Sequence, residues 1–348
     1  MKRPTRWLRE LLADTALGAP FSVLMRGRAT IFMMHRFRCT DNLERGSDLN
    51  TLRAVLRRLL EDGYRLVGLE ELFGRLVTPG GDLDRVVAFT IDDGYREQVV
   101  HAAPVFAELD CPVTTFVVTA FLDRKEWFWW DGIEFIFRGT ARTGLNVRLP
   151  GGVRRYVWQD DGERATAQTE FTWACKDLPD EARVRAIEEL AGEAAVSLPA
   201  TPPPEYAPMT WDELRTAERL GMRFGPHSVS HPILSRVSAE RSRWEIVESW
   251  NRLRQEAKHP VPIFAYPNGR LRDFGSREVE ILREAGFVGA VRGLSGWADG
   301  DSFRETDGPY QVPRLGYPDS IGGVMRAVRG VARGQSMARA LIKTIANR

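Results

Sequence analysis

The chain has 348 residues, 43% of them hydrophobic and 28% charged, and its 49 basic against 47 acidic side chains leave a net charge of +2. That balance excludes a strong global attraction to nucleic acid, and the length suits one large α/β unit carrying insertions. Cys39, Cys111 and Cys175 lack any CxxC spacing, which argues against a disulfide framework and against a thiolate zinc site.

Residues 1–29 read as a basic helical segment with Lys2, Arg3, Arg6 and Arg9 at its start. Asp14 interrupts the apolar residues that follow too early for a signal-peptide core, and no segment supplies the roughly 20 apolar residues that span a bilayer. The expected location is therefore cytoplasmic or peripheral to a membrane. Thr30–Met34 is a short buried strand ending at His35. Ser47 or Asp48 caps a helix through about Leu60, with Leu49, Leu52, Val55, Leu56, Leu59 and Leu60 on one face and Gly63 as its stop. A brief strand at Tyr64–Val67 and a short helix to Val77 follow.

Arg85–Ile91 is rich in β-formers and stops at Asp92-Asp93-Gly94; a helix over about Arg96–Leu109 and a strand over Val113–Thr119 come next. Residues 121–208 break this rhythm. They hold the cluster Trp127-Phe128-Trp129-Trp130, a hairpin around Pro150-Gly151-Gly152 and a Pro202-Pro203-Pro204 run, and they read as an insertion. The alternation resumes with helix Trp211–Leu220, strand Met222–Phe224, helix Ala239–Ala257, strand Ile263–Tyr266, helix Ser276–Ala285 and strand Val288–Val291. This is a parallel α/β pattern, with residues 30–319 as one barrel and the insertion within it. Residues 320–348 read as basic amphipathic helices. The plain expectation is packing on the domain; the sharper one is peripheral contact with an anionic membrane or a membrane complex through Arg326, Arg329, Arg333, Arg339 and Lys343.

Three motifs fall at strand ends, where α/β folds bind ligands. Asp92-Asp93-Gly94 offers two carboxylates. His227-Ser228-Val229-Ser230-His231 offers two of the chain's five histidines at i and i+4, in a loop flanked by Pro226 and Pro232. Two imidazoles beside adjacent carboxylates are what a catalytic divalent metal with a neighbouring base requires. Phe264-Ala265-Tyr266-Pro267-Asn268-Gly269 closes a third strand. His101 is read as lying on the exposed or packing face of its helix, His259 as sitting at a helix C-terminus where the macrodipole favours a cation, and the tryptophan cluster as insertion core or a sugar-stacking platform.

With Ile31–Arg36, Trp129-Trp130-Asp131, Met209-Thr210-Trp211 and Gly221–Pro226 added, the chain resembles the NodB-homology polysaccharide deacetylases, carbohydrate esterase family four, over about Thr30–Tyr317. The resemblance implies a deformed (β/α) barrel with one divalent metal, usually zinc. It makes Asp93, His227 and His231 the metal ligands, Asp92 the general base and a backbone N–H near Tyr266, Pro267 and Asn268 the oxyanion donor. Two departures stand out. Ala265 occupies the position of the family's base-orienting Arg, with Asn268 where a later aromatic is usual. This tyrosine-proline version resembles the subgroup acting on exopolysaccharides, and Arg314 is the candidate replacement cation. No His follows His259 to act as general acid, and His35 is the substitute, since an N-terminal His-Arg motif fills that position in the related subgroup. The implied activity is hydrolysis of N-acetyl groups on amino sugars of a glycan. The alternatives are an O-acetyl esterase and a catalytically silent glycan-binding protein of the same fold.

Overall fold

The computed structural model describes residues 16–38, 45–125, 127–176, 178–293 and 295–346; Cys39 and residues 1–15 of the basic N-terminal segment lie outside them. Two compact units emerge, one from residues 1–123 with 208–348 and one from residues 124–207.

The first unit is built on parallel strands. β1 (Arg28–Met34) pairs with β2 (Val86–Asp93) from Thr30↔Val87 to Met34↔Ile91. β2 pairs with β3 (Val113–Val117), and β3 with β4 (Arg223–Pro226). All eight residues of β2 are buried, which explains why Val86–Phe89 is an apolar run with no alternation; Thr90, Asp92 and Asp93 are the polar residues buried on the same strand. The short segments Arg65–Leu66 and Leu315–Gly316 flank β2 and β1, and Ala298–Asp299 meets the start of β1 antiparallel. A second parallel sheet holds β5 (Ile263–Ala265), β6 (Gly289–Arg292) and β7 (Val312–Pro313). A bridge from Phe224 to Pro260 leads toward it from β4, and the chain passes from β7 into Leu315–Gly316 on β1, so the strands follow a curled circuit. This is the deformed (β/α) barrel. Its core joins Ile31, Ala88, Phe116, Ile263, Ala265, Val291 and Val312 from successive strands.

Helix α1 (Leu49–Glu61) starts where the Asp48 carboxylate accepts the Thr51 N–H at 2.7 Å. Leu52, Val55, Leu56 and Leu59 are buried on it, whereas Leu60, about 100° further round than Leu59, is exposed. α2 (Leu69–Val77) adds Leu69, Leu72, Phe73 and Leu76 to the barrel core. The helix expected over Arg96–Leu109 differs: Gln98–Ala102 winds as a π-helix before α3 (Ala103–Glu108). β2 also runs on through both aspartates, because Asp92 and Asp93 keep pairing with Phe116 and Val117. α4 (Trp211–Arg219) is opened by a Thr210–Glu213 capping box. α5 (Ala239–Glu256) and α6 (Ser276–Glu284) complete the alternation.

The tail forms α7 (Ile321–Val328) and α8 (Val331–Ala346). Val324, Met325, Val328 and Val331 are buried, Arg329 pairs with Asp62, and the Arg333 guanidinium lies 6.0 Å from the Trp297 ring centre. The apolar residues of α7 and the start of α8 are thus largely consumed by packing, whereas Met337, Arg339 and Ile342 face outward. No helix among the described residues is long and apolar enough to cross a membrane.

The second unit has its own core, in which Ile136, Phe137, Leu145, Val147, Phe171 and Leu190 join three helices (Trp129–Gly139, Asp161–Lys176, Asp180–Ala194) to an antiparallel hairpin (Gly144–Leu149, Gly152–Val157). Gly151 and Gly152 turn the hairpin at φ +106° and +125°. The aromatic cluster packs on itself: the Phe128 and Trp130 rings stack at 4.4 Å, and Trp127 meets Tyr206 edge-on.

Candidate metal centre and its neighbours

Asp93, His227 and His231 place one ligand-type atom each within 4.8 Å of one another. Asp93 Oδ1 lies 3.9 Å from His227 Nε2 and 3.8 Å from His231 Nε2. His227 follows β4, and its backbone N–H donates to the Val117 carbonyl, so β3 sets its height. Its Nδ1 sits 2.7 Å from the Ala265 carbonyl, a contact that requires the proton on Nδ1 and leaves the Nε2 lone pair for a metal. Burial drives the His227 pKa down to about 4 against the opposing charge of Asp92, so the ring is neutral near pH 7.

Backbone strain gathers at this point. Asp93, Ser228, His231 and Asn268 all have positive φ, at +86°, +69°, +59° and +62°. Non-glycine residues hold such conformations only where their surroundings over-determine them. For the histidine loop the over-determination comes from Glu245 on α5, which is fully buried. Its carboxylate accepts the N–H groups of Val229 and Ser230 at 2.8 and 2.9 Å and the Ser230 hydroxyl at 2.6 Å, while Arg241 balances its charge. Sequence reasoning missed Glu245. The available signal was a polar series, Ser242, Glu245 and Ser249, on the helix face that also buries Ile246 and Leu253.

Beside this group, Asp92 and Arg314 form a bidentate pair, with both N–O distances 2.7 Å and both residues no more than 2% exposed. The guanidinium also donates to the Thr90 hydroxyl at 3.1 Å, whose own proton goes to the Phe32 carbonyl. Burial by itself would raise the Asp92 pKa; Arg314, aided by the neighbouring imidazoles, outweighs it and holds the carboxyl at about 2. His35 approaches from the end of β1, its Nε2 3.9 Å from Asp92 Oδ2, with 46% of its side chain exposed. Desolvation lowers its pKa, and the Asp92 charge works against that shift. A second residue that sequence reasoning missed, Gln98, donates its side-chain amide to the carbonyls of both His35 and Asp92.

The third motif departs from expectation. The Tyr266 N–H is engaged by the Val291 carbonyl at 3.2 Å, and the Tyr266 ring, 1% exposed, stacks on Phe274 at 3.8 Å. Tyr266 is thus a packing residue whose N–H is already spent within the sheet. Pro267 is buried and has no N–H, whereas Asn268 is partly exposed. The Thr-Trp motif is structural: Trp211 donates its indole N–H to Asp123 at 2.9 Å. His259 uses its backbone N–H on Glu218, and neither it nor His101 joins the Asp93 group.

Among solved structures, the chain is similar to the Streptococcus pyogenes deacetylase PplD in complex with acetate, with a TM-score of 0.56 and 16% identity over 86% of this chain and 98% of that one. It is also similar to IcaB from Ammonifex degensii, with a TM-score of 0.53 and 16% identity over 87% and 97% of the two chains. A polysaccharide deacetylase from Bacillus cereus gives a TM-score of 0.54 and 13% identity over 87% and 70%. At such identities the likeness establishes the fold. No curated protein sequence matches the chain. The family model described as polysaccharide deacetylase matches residues 80–290, a span that contains Asp92, Asp93, His227 and His231, and on this match the chain belongs to the polysaccharide deacetylase family.

Proposed function

We propose that the chain is a divalent-metal-dependent hydrolase that removes N-acetyl groups from amino sugars of a polysaccharide or glycan precursor. The observation that carries this reading is the adjacency, on one strand end, of a carboxylate clamped by Arg314 and a carboxylate grouped with two imidazoles. Asp93, His227 and His231 would hold the ion, and two imidazoles with one carboxylate suit zinc. When bound there, a divalent ion supplies Lewis acidity toward the acetyl carbonyl oxygen and makes a nearby water more acidic.

The chain's own residues do the rest. Asp92, kept ionised and fixed in one orientation by Arg314, takes the proton of the attacking water as its oxygen bonds to the acetyl carbon. His35, beside Asp92, takes up the proton that Asp92 has accepted from the water and passes it to the sugar nitrogen as the C–N bond breaks, releasing acetate and leaving the amine. Of the third motif's residues, Asn268 is assigned the backbone N–H that meets the oxyanion, since Tyr266 has committed its own and Pro267 has none.

Acetate release from N-acetylated and O-acetylated glucosamine oligomers, by wild type and His35→Ala, tests the reading. The expected result is N-acetyl hydrolysis that falls about 10²- to 10⁴-fold in the variant. Efficient hydrolysis of the O-acetyl substrate alone, with His35 dispensable, would replace the amidase reading by an esterase one. Metal uptake without acetate from either substrate would favour the silent glycan-binding protein.

A further inference from the structure

We infer that Gln98 is a positioning residue that sets the separation between His35 and Asp92. The inference rests on the roles proposed for those two residues. The β1–β2 ladder ends at Met34↔Ile91, so His35 and Asp92 are the first neighbouring positions that the ladder no longer registers. Their carbonyls are joined by one side chain instead: Gln98 Nε2 lies 2.6 Å from His35 O and 2.6 Å from Asp92 O. Two carbonyl acceptors require the amide NH₂ at this position, and its two protons are then fully used.

Gln98 has no exposed surface and opens the π-helical turn Gln98–Ala102, a local irregularity of the kind that recurs at functional sites. Its neighbours grip the same strand end. Glu97 forms an ion pair with Arg36, and the Arg36 guanidinium lies 3.8 Å from the centre of the Tyr95 ring. Residues 95–98 therefore hold residues 35 and 36 at three points, and only Gln98 reaches both sides of the His35–Asp92 gap. That gap, 3.9 Å between Nε2 and Oδ2, is wider than a hydrogen bond, so backbone placement governs it.

Gln98→Met keeps the volume and removes both donors. In the variant, the ¹⁵N-edited NMR signals of the His35 imidazole should move while those of His227 and His231 stay in place. With zinc content and KM unchanged, kcat should fall about tenfold or more. The loss should largely disappear when Gln98→Met is made in a His35→Ala background, because the two changes act on one unit. An unmoved His35 signal overturns the inference, as does an equal fold-loss in both backgrounds. If His35→Ala alone leaves kcat unchanged, the proton-transfer role of His35 fails, and the imidazole signals still decide what Gln98 does. Should Gln98→Met not fold, Gln98→Asn, one methylene too short to reach both carbonyls, carries the same comparisons.

Discussion

At the scale of single residues, the Asp92–Arg314 pair is the most consequential contact in the barrel. Both partners are buried, so removing the cation leaves a carboxylate without solvent or partner. Arg314→Met is expected to destabilise the protein by about 3–5 kcal/mol, read from denaturant unfolding, unless Asp92 becomes protonated. Arg314→Lys keeps the charge but not the two-pronged geometry, and should lower kcat with little change in metal content. The pH dependence has a defined sign. A carboxyl held at about 2, below its ordinary 3.8, contributes stability that is fully present above the unfolded value and is lost as pH falls toward 2. Asp92→Asn removes that titration, so stability measured between pH 4 and 2 should fall less steeply in the variant than in wild type.

Asp92, Asp93, His227 and His231 were legible because each pair is contiguous or nearly so, and because the residue types are those of metal chemistry. Gln98 and Glu245 were not. Each acts through backbone groups brought to it by strand ends or a loop far away in sequence, and nothing local distinguishes a buried glutamine or glutamate from an exposed one.

At the scale of elements, short apolar runs and amphipathic periodicity gave the strands and helices to within a few residues, since burial on parallel strands leaves that pattern in the chain. The misses have physical causes. β2 extends through Asp92 and Asp93 because β3 continues to pair with it, and the π-turn at Gln98 has no periodic signature. The loop that carries both histidines depends on α5 through Glu245. Glu245→Ala is expected to weaken zinc affinity about 10- to 100-fold by calorimetry on metal-free protein, with Glu245→Gln losing less. For the tail, Met337, Arg339 and Ile342 on α8 are outward among the described residues. We propose that the tail contacts anionic membrane: vesicles rich in phosphatidylserine should float the wild-type protein and fail to float Met337→Glu/Ile342→Glu, and no flotation of wild type removes the proposal.

At the scale of the whole molecule, two cores exist where an uninterrupted α/β reading would give one. Phe171, with no exposed surface in the core of residues 124–207, tests that unit by itself: Phe171→Ala should cost about 3–5 kcal/mol of its stability while leaving zinc affinity unchanged. The strand circuit brings β2, β4, β5 and the turn after β7 to one end, which is how residues as distant as Asp92 and Arg314 come to share a site. The most direct test of the account is to strip the protein of metal, titrate zinc back, and follow acetate release from N-acetylglucosamine oligomers. The account predicts activity that rises with zinc and saturates at one equivalent per chain, and that is absent in His227→Ala. Activity indifferent to zinc, or one tightly bound equivalent with no acetate released, would contradict it.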